Sequence, residues 1–136
     1  MNDLALLYRD AIRKHAAQPV GFRRPIDATH QHEADNPLCG DRILIQLRIV
    51  NGELEAAAFD GEACAICMAS ASLLCETVPG HPVSYLESQH DQLQAALTGD
   101  SGSSVMEALA PLLGVKPYPA RIRCATLPWS AARSAL

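Results

Sequence analysis

The sequence predicts an α+β fold in which a small antiparallel β-sheet of about three strands packs against four to six helices. An alternating apolar segment at 41–50 is followed by Asn51-Gly52, the strongest short signal for a two-residue hairpin turn. Helical patterns cover most of the remaining chain, without the repeating strand-helix units of a parallel sheet. With 136 residues, 49% of them apolar, we expect a single domain over residues 1–136.

The chain before the hairpin predicts one helix and one weak strand. Apolar residues recur at helical spacing over residues 3–15, and Asp3 can cap the N-terminus of that helix. Residues 22–36 contain Pro25 and have no clear period, so only a short edge strand is predicted there.

The hairpin itself is predicted from two facing strands. Over residues 41–50, Ile43, Ile45 and Leu47 lie on one apolar face, and residues 53–59 return after the turn as the partner strand. This register brings the beginning of the first strand, near Cys39 and Asp41, close to the end of the second strand, just before Cys64.

Helices are predicted after the hairpin. The Ala-, Leu- and Met-rich segment 63–77 is a strong helix that Val78-Pro79-Gly80 stops. Further helices are predicted over 84–97, over 105–113 after a loop at 98–104, and from Pro119 or Ala120 onward.

Charge and composition exclude several classes of function. A net charge of -4 and the lack of a dense Lys/Arg run give no general attraction to nucleic acid or to an anionic membrane. The N-terminal segment has early acidic residues and neither a signal-peptide pattern nor a membrane span, so we expect a cytoplasmic protein. Five cysteines, an odd number, then favour reduced thiols over a disulfide framework.

Three short clusters carry the chemistry of the chain. They contain Cys39 with Asp41, Cys64 with Cys67, and Cys124. Together the three clusters make three thiolates, one from each cluster, and a carboxylate available to one metal or cluster. Zinc accepts mixed sulfur and oxygen ligands in a tetrahedral array, and an iron–sulfur cluster can use the same donors. The helix predicted after the hairpin places Cys64 in its first turn, where the helix dipole favours a thiolate.

Simpler interpretations stand beside this one. A single buried cysteine is most often a small apolar core residue, which fits Cys75 best, and Asp41 alone could be a turn former. The spacing of Cys64 and Cys67 matches a dithiol redox motif, although no β-α-β unit surrounds it. The histidines are interpreted as solvated polar residues. Arg121 and Arg123 flank Cys124, and a guanidinium beside a thiolate favours its ionised form.

Three motifs together resemble the SufU branch of the IscU/NifU N-terminal family. They are NPLCGDR at residues 36–42, GEAC at 61–64 with MASAS at 68–72, and PARIRCATL at 119–127. They occur in the family's order, and the resemblance spans most of the chain. The 60 positions between Cys64 and Cys124 resemble the longer SufU spacing, which implies an extra segment at about 81–103 that the shorter IscU scaffolds lack.

The resemblance implies an iron–sulfur cluster biogenesis protein that receives persulfide sulfur from a SufS-like cysteine desulfurase. It would act as a sulfur-transfer protein or as a [2Fe-2S] assembly scaffold, with Zn²⁺, Fe or the cluster held by Cys39, Asp41, Cys64 and Cys124. Cys124 matches the family's sulfur acceptor. Downstream scaffolds or apo-acceptor proteins are further expected partners, and a monomer or weak dimer is the expected state.

Two positions depart from the family pattern. Relatives usually have a small residue where this chain has Cys67, so Cys67 is a possible auxiliary ligand that could exchange with Cys64. IscU-type proteins have His at the position of Arg123. Arg123 is therefore the second candidate for an auxiliary residue of the site. The rival hypotheses are a zinc-stabilised binding domain without transfer activity and a dithiol oxidoreductase that uses Cys64 and Cys67.

Overall fold

The computed structural model describes residues 3–99 and 107–136, with side chains from Tyr8 onward. The described residues form a three-stranded antiparallel sheet, in the order β1-β2-β3, and five helices. The predicted α+β class is therefore confirmed. In chain order the elements are α1 (Asp3–Ala17), β1 (His30–Asn36), β2 (Asp41–Val50), β3 (Glu53–Glu62), α2 (Ala65–Thr77), α3 (Val83–Thr98), a 3₁₀ helix (Glu107–Val115) and α4 (Pro119–Ala135).

The predicted hairpin joins β2 to β3. Asn51 and Gly52 both have positive φ, 52° and 78°, as a type I′ turn requires. At the far end of the hairpin, Gly61 has a φ of 140°, and a Cβ placed there would lie 2.1 Å from the carbonyl oxygen of Arg42. Only glycine allows the two strands to approach so closely, and this approach places the beginning of β2 beside the residues that follow β3.

The core lies between one face of the sheet and helices α2 and α4. Ile43, Ile45 and Leu47 on β2 are fully buried, which confirms the predicted apolar face. Helix α4 packs against β1, β2 and α2, and its Trp129 is fully buried. Each such side chain contributes about 1.5–3 kcal/mol through burial. This packing holds α4 against the two strands that flank the first motif and against the helix that follows the second.

Several predicted boundaries shift in the structure. The edge strand predicted within 22–36 is β1, and the helix predicted from residue 63 begins at Ala65. The helix predicted over 105–113 is a 3₁₀ helix over Glu107–Val115 that contains Pro111. Because proline lacks an N–H and clashes with the preceding turn, a regular α-helix is disfavoured there. Residues 105–106 and most of the predicted loop, residues 100–104, lie outside the described residues. Among the described helices, none is long and apolar enough to cross a membrane.

One histidine is buried, contrary to the prediction that the histidines are solvated. His90 on α3 is only 9% exposed, and its Nδ1 lies 3.3 Å from a guanidinium nitrogen of Arg133 on α4, which also contacts Asp91. Burial lowers the pKa of His90 and Arg133 lowers it further, whereas Asp91 and Gln94 act in the opposite direction. Hydrophobic spacing along α3 did not reveal this contact, since it depends on how α4 packs.

Candidate metal centre

The turn between β1 and β2 is built on Asn36. The side-chain Oδ1 of Asn36 accepts a hydrogen bond from the N–H of Leu38 at 3.2 Å. Its backbone carbonyl accepts from Cys39 at 3.1 Å and from Gly40 at 2.8 Å. These local bonds form a compact turn, as expected for an Asx residue at this position. They leave the Cys39 side chain exposed at the tip and place Asp41 at the first position of β2.

Asp41 is buried, with 2% exposure. Its Oδ1 accepts a hydrogen bond from the backbone N–H of Cys64 at 2.8 Å, so the hairpin brings these two motifs together as predicted. Its Oδ2 is buried and has no hydrogen-bond partner among the described residues. A buried carboxylate oxygen without a partner is costly. A bound cation would remove that cost.

Two thiols converge on this carboxylate. The Sγ atoms of Cys39 and Cys124 and a carboxylate oxygen of Asp41 all lie within 4.8 Å of one another. The two sulfur atoms are 3.8 Å apart, too far for a disulfide. Two thiolates bound to one tetrahedral zinc at about 2.3 Å would be separated by about 3.8 Å. The spacing and chemistry of these donors therefore fit a zinc ion.

Cys64 lies beside this group rather than within it. It is the N-cap residue of α2, one position before the predicted first turn, with φ −66° and ψ 166°. Its side chain is half-buried and close enough to Cys124 to affect the pKa of that thiol. The structure thus places all four predicted ligands at one location, three of them mutually close and Cys64 adjacent.

Cys124 is the most protected thiol of this set. It lies in the second turn of α4 and is fully buried. Burial raises the pKa of the Cys124 thiol, and Cys64, Asp41 and Cys39 raise it further. Arg123 is exposed, and the expected stabilisation of the thiolate by a guanidinium is not seen, because burial dominates.

The remaining two cysteines are core residues. Cys75 is 2% exposed, as predicted, and burial raises the pKa of its thiol to about 12. Cys67 is fully buried, and its pKa is raised by burial and then by the nearby Asp41, Cys64 and Cys39. It lies next to the centre but outside the group of mutually close ligand atoms. Its role as an auxiliary ligand stays a prediction.

Sequence reasoning missed two features at this site. Leu38 is 83% exposed at the tip, directly before Cys39. Asn36 is 3% exposed, and its Nδ2 has no partner among the described residues. An Asn immediately before Pro37 is a recognisable turn signal, but the burial of its side chain depends on contacts that sequence spacing does not reveal.

Comparison with known proteins places these features in a family. The family model for the NifU-like N-terminal domain matches residues 7–131. The chain is 32% identical to the zinc-dependent sulfurtransferase SufU of Bacillus subtilis (strain 168), covering 95% of this chain and 88% of that protein. It is 30% identical to the iron-sulfur cluster assembly scaffold protein IscU of Thermotoga maritima, covering 96% and 93%, respectively.

Solved structures share the fold. The NifU-like N-terminal protein from Brucella abortus superposes with a TM-score of 0.85 at 20% identity, covering 98% of this chain and 94% of that one. A second solved structure superposes with a TM-score of 0.80 at 24% identity, covering 96% of each chain. It is a putative iron-sulfur cluster assembly scaffold protein for the SUF system from Fervidobacterium islandicum AW-1. With its family match spanning nearly the whole chain, this protein belongs to the NifU-like N-terminal domain family.

Proposed function

We propose that this protein accepts persulfide sulfur from a SufS-like cysteine desulfurase on Cys124, through a metal site formed by Cys39, Asp41, Cys64 and Cys124. Family membership supports the broader role, that of an iron–sulfur cluster assembly scaffold or sulfurtransferase. The observation that carries the proposal is the convergence of Cys39, Asp41 and Cys124 within 4.8 Å, with one buried carboxylate oxygen lacking a partner.

Zn²⁺ is the resident metal that the donor set fits best. The sulfur–sulfur distance of 3.8 Å and the mixed sulfur and oxygen donors both agree with tetrahedral zinc. Bound there, zinc would keep the thiols deprotonated at neutral pH, including the buried Cys124. The same donors could hold a [2Fe-2S] cluster as cargo, and the name of the Bacillus subtilis relative favours zinc.

The transfer is a thiol exchange at sulfur. The Cys124 thiolate attacks the terminal sulfur of the donor's cysteine persulfide, and a new S–S bond forms at Cys124 Sγ. The bond between that terminal sulfur and the donor cysteine breaks, and the donor leaves as a thiolate that takes up a proton. No net oxidation occurs, because the sulfane sulfur simply changes carrier. Full burial of Cys124 requires that the turn carrying Cys39 open first.

The test is a sulfur-transfer assay with a purified SufS-type desulfurase and cysteine. Desulfurase turnover should rise when the zinc-loaded protein is added, and intact-mass analysis should show one added sulfur atom on Cys124. Cys124→Ser should abolish both effects. Cys75→Ala is the matched control, since it also removes a buried thiol but one distant from the centre.

The two rival functions give different results in the same assay. A zinc-stabilised binding domain would retain its metal yet leave desulfurase turnover unchanged. A dithiol oxidoreductase would lose activity in Cys67→Ser but retain it in Cys39→Ser, whereas the proposed site requires the reverse order. A cytoplasmic location stays a prediction.

A further inference from the structure

An open apolar groove of about 940 Å³ runs beside the metal centre. We call it the α1 groove. Two of its lining residues are close in sequence to the centre: Ala65 follows Cys64, and Arg121 precedes Cys124 by three residues. The lining residues come from α1, the beginning of α2, the 3₁₀ helix and the beginning of α4: Tyr8, Arg9, Ile12, Arg13, Ala65, Ile66, Pro111, Gly114, Val115, Tyr118 and Arg121.

The charges around the α1 groove are all of one sign. Arg9, Arg13 and Arg121 are exposed and line it, and none of the described lining residues is acidic. Within the described part of the chain, none of these three arginines takes part in an ion pair. In a protein with a net charge of -4, this is a local cationic surface around an apolar floor. Such a surface is complementary to an acidic, apolar ligand.

Exposed apolar side chains mark the same region. In the described residues, the exposed large hydrophobic side chains are Leu38 at 83%, Tyr118 at 61% and the terminal Leu136 at 40%. Leu38 lies beside the ligand Cys39, and Tyr118 lines the α1 groove. One of these side chains therefore adjoins the centre and another lines the groove, and both would lose contact with water if a partner protein covered this region.

We propose that the α1 groove binds an acidic amphipathic segment of the protein that donates sulfur to Cys124. This inference rests on the proposed function, and it identifies where and by which chemistry the donor docks. The segment places apolar side chains against Ile12, Ile66 and Val115, and its carboxylates face the arginines. Docking there holds the donor within about one helical turn of both Cys64 and Cys124.

The spacing of the arginines favours a helical segment. Arg9 and Arg13 are four residues apart on α1, which corresponds to a rise of about 6 Å along the helix axis. Two carboxylates one helical turn apart on the partner would match that spacing. Tyr8 and Ile12 repeat the same four-residue interval, so one face of α1 presents an apolar row next to a cationic row. This is the pattern of a helix-in-groove contact.

The test measures both binding and turnover with a SufS-type desulfurase and the zinc-loaded protein. The variant Arg9→Glu/Arg13→Glu should raise the Kd, and the half-saturating concentration in the turnover assay, by at least about tenfold, because attraction at the rim becomes repulsion. Turnover at saturation should stay within about twofold of wild type, because neither arginine touches the acceptor thiol. Arg9→Gln/Arg13→Gln should give a smaller shift in the same direction.

The matched control is Lys14→Glu/Arg24→Glu. It changes the net charge by the same amount at two exposed residues outside the α1 groove, and it should leave the Kd within about twofold of wild type. Zinc content and thermal midpoint confirm that each variant is folded.

Each outcome decides one of the two proposals. If turnover rises with wild type but the Kd is insensitive to Arg9→Glu/Arg13→Glu, the groove inference is overturned and the proposed function stands. If binding depends on the arginines but neither the rise in turnover nor the Cys124 persulfide appears, the proposed function fails, and only the docking of an acidic segment in the α1 groove stands. Absence of any binding overturns both. A homodimer that dissociates on charge reversal would assign the groove to a second copy of this chain and overturn the inference.

Discussion

Asp41→Asn should have opposite effects on the metal-free and the zinc-loaded protein. Asp41 is 2% exposed, and among the described residues only its Oδ1 has a hydrogen-bond partner, the N–H of Cys64. The amide of Asn keeps an acceptor for that N–H and removes a buried negative charge. We therefore expect the free energy of unfolding of the metal-free protein to be unchanged or to increase by up to about 2 kcal/mol.

In the zinc-loaded state the same substitution removes an anionic ligand. Loss of an outer-shell partner of a metal ligand typically costs 10- to 100-fold in affinity, and loss of a ligand itself should cost at least about 100-fold. At a fixed free zinc concentration well above Kd, a 100-fold loss of affinity reduces the stabilisation by bound metal by about 2.7 kcal/mol. The change in the free energy of unfolding caused by Asp41→Asn is therefore expected to be negative with zinc and zero or positive without it.

Urea unfolding with buffered zinc and with a chelator measures both free energies, and metal analysis gives the zinc-to-protein ratio. Asp60→Asn is the control, because Asp60 is a half-exposed acceptor for Arg23 and should respond identically with and without zinc. If Asp41→Asn lowers stability equally in both conditions and zinc content is unchanged, Asp41 is only a turn residue and the ligand assignment is wrong.

Three further predictions follow from packing and burial. Gly61→Ala should lower the free energy of unfolding, measured in urea, by more than about 3 kcal/mol, because the new Cβ would lie 2.1 Å from a β2 carbonyl oxygen. Gly80→Ala, at a position with open space around it, should lower the same free energy by only about 1 kcal/mol. Cys67→Ala should lower the free energy of unfolding by about 1 kcal/mol and leave the zinc content unchanged, whereas Cys39→Ala should reduce the zinc content measured by metal analysis. Equal zinc content in the two variants would contradict the proposed site. His90 has a pKa below its ordinary 6.5, so the unfolded state binds more protons and stability falls as pH drops below 6.5. His90→Gln should make the free energy of unfolding, measured as a function of pH, fall less steeply below pH 6.5. An unchanged slope would show that His90 is not the group responsible.

The sequence predicted the part of the centre that depends on local rules. Asn51-Gly52 selects one turn type, and the alternation of Ile43 and Ile45 selects one register, since a shift by one residue would expose the apolar face. That register brings Asp41 to Cys64, so one contact of the site could be derived before any tertiary structure was known. A last helix from Pro119 or Ala120 was predicted as well, whereas the edge strand was predicted only as a short strand within a segment that has no clear period.

The remaining contacts depend on packing between distant segments. Cys124 reaches Cys39 because α4 lies across β1 and β2, and no local periodicity specifies where a helix crosses a sheet. The sequence motifs made Cys124 available as a donor, but nothing in the local pattern specified how it reaches the other donors. The 3₁₀ helix likewise required more than an apolar pattern, because Pro111 disfavours the regular helix that this pattern alone predicts. The α1 groove was missed since it forms between four separate elements.

The difference in exposure between Cys39 and Cys124 bears on how sulfur reaches the acceptor. Cys39 is exposed on a turn held by hydrogen bonds to Asn36, whereas Cys124 is buried in a helix packed on the core. Moving Cys124 would disrupt that packing, whereas the tip of the turn is exposed. Under the proposed function, opening of this turn is the route by which the donor's persulfide would approach Cys124, whose sulfur lies 3.8 Å from that of Cys39. A donor anchored in the proposed α1 groove would rest on the beginnings of α2 and α4, so the turn that carries Leu38 and Cys39 is not part of its anchor.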